Sequence, residues 1–254
     1  MIMRRTLVVL SALSVLSVLS VLPLAAQDKP KEKQLKVVGD FGYVNASGNS
    51  SVTTLNLGEK ISWRTKSAKV SLDEYASYVY GRTDGTESAN RLGIGGRLNY
   101  HFSPRLAAFG GLDFDYDHFA GIDHRFQEPI GLSWLALDAP KNKLTLEGGV
   151  NFVQVTFTEL QDNGQFDHQY ATARAAGTYK WLFTEKGYFQ LFGEYLPALE
   201  TGIGYRMNGE AAIVAPVKGI LALKIGYLVR YNSLPPAGFE TTDRTFTTGL
   251  QATF

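Results

Sequence analysis

The chain has 254 residues, enough for one undivided all-β domain, with 19% charged residues and a formal net charge of +1. That balance gives no electrostatic ground for nucleic acid or a strongly charged partner, and a mean hydropathy of -0.09 excludes a bundle of membrane helices. Cysteine is absent, which excludes disulfides, thiol catalysis, thiolate metal sites and a lipid-modified amino-terminal cysteine.

Residues 1–26 read as a signal peptide. Arg4 and Arg5 supply the positive start, Leu7–Leu22 is an apolar run in which Ser-Val-Leu occurs three times over Ser14–Leu22, and Pro23 breaks it. Leu24-Ala25-Ala26 then offers a small-residue cleavage site before Gln27. A retained anchor helix is the rival reading, but the run has sixteen residues, four of them serine, where a span needs about 20 apolar ones. Residues 27–35 follow as a charged periplasmic leader carrying Pro30.

From Lys36 onward the pattern has period 2, and such alternation places apolar and polar side chains on opposite faces of a strand. About twelve strands are expected, near 36–46, 51–64, 69–81, 89–102, 105–117, 123–137, 142–157, 166–182, 187–197, 203–215, 219–232 and 242–254; ten is the alternative count. In the segment 91–102, Leu92, Ile94, Leu98, Tyr100 and Phe102 share one face, opposed by Arg91, Arg97, Asn99 and His101. In 106–117, Leu106, Leu112, Phe114 and Tyr116 oppose Asp113, Asp115 and Asp117. In 221–232, Leu221, Leu223, Ile225, Tyr227, Val229 and Tyr231 oppose Lys224, Arg230 and Asn232.

This is the pattern of an all-β fold, a transmembrane antiparallel up-and-down β-barrel in the bacterial outer membrane, greasy outside and polar inside. Closure matters because an unpaired backbone group in hydrocarbon costs several kcal/mol. Short turns fall at 65–68, 103–104, 138–142, 184–187 and 216–219, the periplasmic side. The opposite side receives 81–88, 118–122, 159–165 and 233–241, mostly longer and more polar. Glu59, Glu74 and Glu128 break the pattern by falling on the lipid-facing side. A bulge at Gly58, a rim position and a partner subunit are the competing explanations.

The last strand closes on Phe254, with Phe246, Leu250 and Ala252 on the same face. A terminal aromatic after an alternating strand resembles the barrel-assembly recognition signal, and Phe246, Leu250 and Phe254 are assigned that role. The partners expected are therefore outer-membrane lipid and the barrel-assembly machinery, with no nucleic acid, no cofactor and no oligomeric state assigned.

Four stretches resemble the salt-induced outer-membrane protein family, in the family's order and across nearly all of the mature chain. They are Gly42-Tyr43-Val44-Asn45-Ala46-Ser47-Gly48-Asn49-Ser50-Ser51; Asp117-His118-Phe119-Ala120-Gly121-Ile122-Asp123-His124-Arg125; Glu194-Tyr195-Leu196-Pro197; and Arg230-Tyr231-Asn232-Ser233-Leu234-Pro235-Pro236-Ala237-Gly238-Phe239-Glu240-Thr241-Thr242-Asp243. The resemblance implies an outer-membrane location and a stress-associated envelope role. It implies no reaction, since that family has no agreed catalytic residues.

The chemistry-bearing candidates are few. Asp115, Asp117, His118, Asp123 and His124, with His168 further on, cluster toward the outer rim as a candidate metal or water-activating Asp–His set. Against this stands a plain hydrogen-bonded hairpin tip turned by Gly121. No Ser–His pairing, Gly-x-Ser-x-Gly elbow, P-loop or dinucleotide fingerprint is present. The inward set holds acids (Asp40, Asp73, Asp113, Asp115, Asp117, Glu147, Glu194, Glu210, Asp243) and bases (Lys60, Arg64, Arg91, Arg97, Arg125, Lys143, Arg174, Lys180, Arg206, Lys224, Arg230) in near balance. In a lumen well below the size of a 16–18-stranded porin, mixed charges are expected to pair and fill the bore. The reading is a small structural or envelope-stress barrel without enzyme activity. The alternatives are a narrow solute or ion channel, an outer-rim Asp/His hydrolase, and a soluble exported β-protein, which conflicts with the aromatic outer faces and Phe254.

Overall fold

The computed structural model describes residues 34–46, 52–161 and 164–254. The expected signal peptide and leader residues 27–33 lie outside the described residues, as do residues 47–51. Twelve strands occur among the described residues: β1 Leu35–Ala46, β2 Val52–Arg64, β3 Val70–Thr83, β4 Thr86–His101, β5 Leu106–Asp117, β6 Ile122–Asp138, β7 Asn142–Phe157, β8 Asp167–Leu182, β9 Tyr188–Pro197, β10 Tyr205–Lys218, β11 Leu221–Asn232 and β12 Thr242–Thr253. Each pairs antiparallel with its chain neighbour, and β12 returns to β1, so the sheet is a closed up-and-down barrel. The twelve-strand count stands over ten, and strand ends depart from expectation by up to three residues. Leu35, placed in the leader by sequence, opens β1 opposite Trp63.

The largest departure is between β3 and β4. The segment 81–88 reads as a loop, yet Thr83 pairs with Thr86 and only Asp84-Gly85 is left to turn the chain. Both have positive φ, 50° and 80°, as a two-residue type I′ hairpin requires. The Asp-Gly pair was the local signal. The long connections are therefore 158–166, 198–204 and 233–241, all at one end; the end with the 65–69, 102–105, 139–141, 183–187 and 219–220 turns is the short-turn end.

The β12–β1 seam is the shortest pairing. Its register runs from Val38↔Thr253 to Phe41↔Leu250, and Phe254 and Val37 exchange backbone hydrogen bonds at 2.9 and 3.3 Å. Beyond it Gly249 and Gly42 approach so closely that a Cβ on Gly249 meets the Gly42 Cα at 2.9 Å, so only a hydrogen fits there.

The alternation resolves into an outward face of exposed apolar residues, such as Leu98, Leu112, Leu132, Ile213 and Leu223, and an inward face that is not uniformly polar. Phe109, Val153, Val155, Leu196 and Val214 all point inward and are among the most buried side chains; Val153 is 1% and Val214 2% exposed. A bore this narrow excludes water wherever side chains meet, so it packs like a core.

Candidate functional site

The lumen concentrates the charged chemistry. Each charge singled out by sequence, namely Arg91, Arg97, Asp113, Asp115, Arg174, Arg206, Glu210, Lys224 and Arg230, lies at an inward position of the alternation set by the contacts below. The central cluster draws on five strands. Arg97 on β4 donates two hydrogen bonds to Glu147 on β7, at 3.0 and 2.7 Å. Arg174 on β8 donates to Glu147 at 2.8 Å and to Glu194 on β9 at 2.7 Å, and Asn208 on β10 donates to the other Glu194 oxygen at 2.8 Å. The Arg97 guanidinium lies 3.7 Å over the Phe109 ring, a cation–π contact that also covers the apolar side of the cluster. Planar guanidinium forks match carboxylates with two bonds at once, so two arginines and two glutamates satisfy one another with Arg174 only 9% exposed.

Nearer the long-loop end, Arg125 donates to both oxygens of Asp115, at 3.0 and 2.7 Å. Arg206 on β10 reaches Gln127 on β6 at 2.8 Å. Arg230 on β11 reaches Asp117 on β5 at 3.7 Å, and Arg91 sits beside Asp117 in the β4–β5 register. Toward the short-turn end Lys224 donates to Asp40 at 2.5 Å and Gln251 donates to the same carboxylate at 2.8 Å. Glu210 lies within electrostatic reach of Lys224, and the Tyr75 hydroxyl donates to Asp113 at 3.0 Å.

The outer-rim Asp/His residues are not brought together. Asp115 and Asp117 turn into the lumen, where arginines hold them. His118 lies in a 3₁₀ turn, His118–Ala120, closed by Gly121 at φ 72°, and stacks edge-on against Tyr116. His168 stacks against Tyr170. Asp123 and His124 stand apart from these: His124 Nδ1 is 3.1 Å from Asp123, and its Nε2 is 3.1 Å from the Thr156 hydroxyl. That order of groups is reminiscent of a nucleophile–base–acid relay, but the Thr156 hydroxyl donates its proton to Asp167 at 2.6 Å. With its hydroxyl so committed, Thr156 is held as a latch between β6, β7 and β8. Among the described residues no group of three or more His, Asp and Glu could hold a metal ion.

Glu59, Glu74 and Glu128 remain on the outward face. The register is continuous across β1–β2 and β2–β3, which removes the bulge at Gly58 as an explanation. Glu59 pairs with Ala76 and Ile61 with Glu74, so the two carboxylates are diagonal neighbours on one patch. Glu128 faces Phe152, away from the shifts at either end of β6–β7.

Residues 39–254 match a family described as a protein of unknown function, DUF481. A protein of Escherichia coli strain K12 described as uncharacterized protein YdiY is 26% identical over 227 residues, 89% of this chain and 84% of that protein. Among solved structures, an outer membrane channel from Pseudomonas putida F1 is similar over 92% of this chain and 99% of that one, with a TM-score of 0.49 and 9% identity. The translocator domain of the autotransporter NalP from Neisseria meningitidis is similar over 96% and 95%, with a TM-score of 0.47 and 11% identity.

Proposed function

The chain belongs to the DUF481 family, and from that premise we propose that it is a small outer-membrane barrel whose own side chains close its bore, a structural element of the envelope rather than a solute channel or an enzyme. The membrane placement is supported by where the aromatic residues stand. Trp63, Trp134 and Trp181, the three tryptophans of the chain, face outward toward the short-turn end and are 42–51% exposed. Tyr43, Tyr227 and Phe246 are exposed toward the other end, with leucines and isoleucines between. Two aromatic rims around an apolar band are what a bilayer selects. In water the same wall is an apolar patch far beyond the few hundred Å² a soluble monomer leaves open.

In this reading the short turns are periplasmic and the long connections face outside. Residues 1–26 direct export, and Phe246, Leu250 and Phe254 present the last strand to the assembly machinery. The resemblance to salt-induced outer-membrane proteins adds a stress-associated role.

The observation that carries the closed bore is that two of its ion pairs and one arginine hydrogen bond run across it. In the ring of twelve strands, β11 and β5 are diametrically opposite, β10 and β6 are four strands apart, and β4 and β7 three, yet Arg230–Asp117, Arg206–Gln127 and Arg97–Glu147 join them. Recording from single molecules in planar bilayers tests this. The expected trace is free of stable steps; stepwise conductance from the unmodified protein favours a channel and ends the closed-bore reading.

A further inference from the structure

The lumen's charges balance in its middle and not at its short-turn mouth. Lys36 shares the inward parity of Asp40 on β1, and Lys60 that of Ser62 on β2, which donates to Asp73. Lys143 and Lys180 are direct cross-strand partners and share the inward parity of Glu147 and Arg174. The strands β1 and β2 stand opposite β7 and β8 in the ring, so two lysine pairs face each other across the opening. Lys180 lies within electrostatic reach of the other three and rests on the Tyr188 ring at 3.6 Å. Asp40, the nearest acid on β1, is taken by Lys224. Lys143 meets Asp138 at 3.3 Å with both side chains about half exposed. Among the described residues no carboxylate forms an ion pair with Lys36, Lys60 or Lys180.

Four ammonium groups held together, with Asp138 on Lys143 as the one ion-pair partner among the described residues, are unfavourable unless an anion joins them, and low-dielectric walls concentrate their field in the opening. The central Arg–Glu cluster lies above them in the bore, so the mouth is a cup. We propose that this cup binds a small multivalent oxyanion of the phosphate class, bridged between the Lys36/Lys60 wall and the Lys143/Lys180 wall. The inference rests on the barrel reading but not on the bore being sealed to ions.

The test uses the full mature chain folded in a non-ionic detergent, with inorganic tripolyphosphate, pyrophosphate and phosphate titrated calorimetrically at low ionic strength. Binding is expected at one site per chain, strongest for tripolyphosphate and weakened by sodium chloride. Lys36→Gln with Lys180→Gln takes one lysine from each wall and is expected to weaken tripolyphosphate about 100-fold, about tenfold per lost charge-assisted contact. Lys66→Gln with Lys186→Gln, at turns outside the bore, is expected to leave it unchanged. No binding by the unmodified chain, or equal losses in the two double variants, overturns the proposal. Lipid headgroups carry the same phosphate chemistry, so the titration is repeated in phosphatidylcholine nanodiscs with and without phosphatidylglycerol. Unchanged binding places the site in the bore, and displacement by the anionic lipid overturns that placement. Heat-shifted gel mobility of each sample reports folding separately, so failure of the barrel is distinguishable from failure of the cup.

Discussion

Arg230 on β11 and Asp117 on β5 meet at 3.7 Å although their strands lie half a circumference apart. No pair of neighbouring strands can make that contact. It exists because the barrel is closed and narrow enough for an arginine to reach the far wall, and Asp117 is 10% exposed at its side chain as a result. Closure and charge pairing thus support each other: the sheet brings distant strands within reach, and the pairs brace the wall from inside.

The bracing predicts which deletions open the bore. Replacing Arg97, Arg206 and Arg230 together by alanine removes three arginine contacts that cross the bore. The triple variant is expected to show stepwise conductance in planar bilayers where the parent shows none. A silent triple variant places the seal in the inward valines and Phe109 instead.

Arg174 holds two carboxylates, Glu147 and Glu194, while 9% exposed. Arg174→Ala leaves part of that charge buried and unpaired, and is expected to cost about 3–5 kcal/mol. Lys143→Ala breaks a pair that is about half exposed and is expected to change stability by less than about 1 kcal/mol. Urea unfolding followed by tryptophan fluorescence measures both.

At the seam, Gly249→Val drives a branched side chain against the Phe41–Gly42 backbone. The loss expected from overpacking is about 1–3 kcal/mol, read from the same unfolding curves. Gly96→Val, where a Cβ meets nothing within 4 Å, is the control expected to be mild.

The outward carboxylates make a prediction of the opposite sign. Glu59 and Glu74 share a patch surrounded by Leu57, Trp63 and Leu72, all exposed. In lipid, Glu59→Leu with Glu74→Leu is expected to stabilise the barrel by about 1 kcal/mol or more. A loss of stability together with a smaller particle size identifies the patch as a subunit interface.

Much of the wall was legible in the sequence because strand alternation is local. The segment 91–102 reads correctly from Leu92, Leu98 and Tyr100 against Arg97 and Asn99 alone. The 84–85 turn carries its own Asp-Gly signal, but polar residues on both sides give the whole of 81–88 the composition of a loop. What lies across the bore was not legible. Arg230 finds Asp117, and Arg206 finds Gln127, only once strand number, register and closure are fixed, and no spacing along the chain encodes those distances. The same applies to Lys36, whose place beside Lys60 and opposite Lys143 and Lys180 depends on where β1 falls in the ring. The closeness of the outer-rim histidines to Asp115 and Asp117 is one of sequence. Alternation then parted Asp115 and Asp117 from His118, and Thr156, fourteen residues into β7, became the partner of His124.

The barrel is a closed cylinder whose outer wall is apolar apart from Glu59, Glu74 and Glu128, a wall suited to the outer membrane. The most direct test is to fractionate cells and run the mature protein on a gel with and without boiling. The protein is expected to leave the outer-membrane fraction only with detergent and to run as a compact band that shifts on boiling. Recovery in the detergent-free periplasmic extract, with one mobility before and after heating, contradicts this expectation.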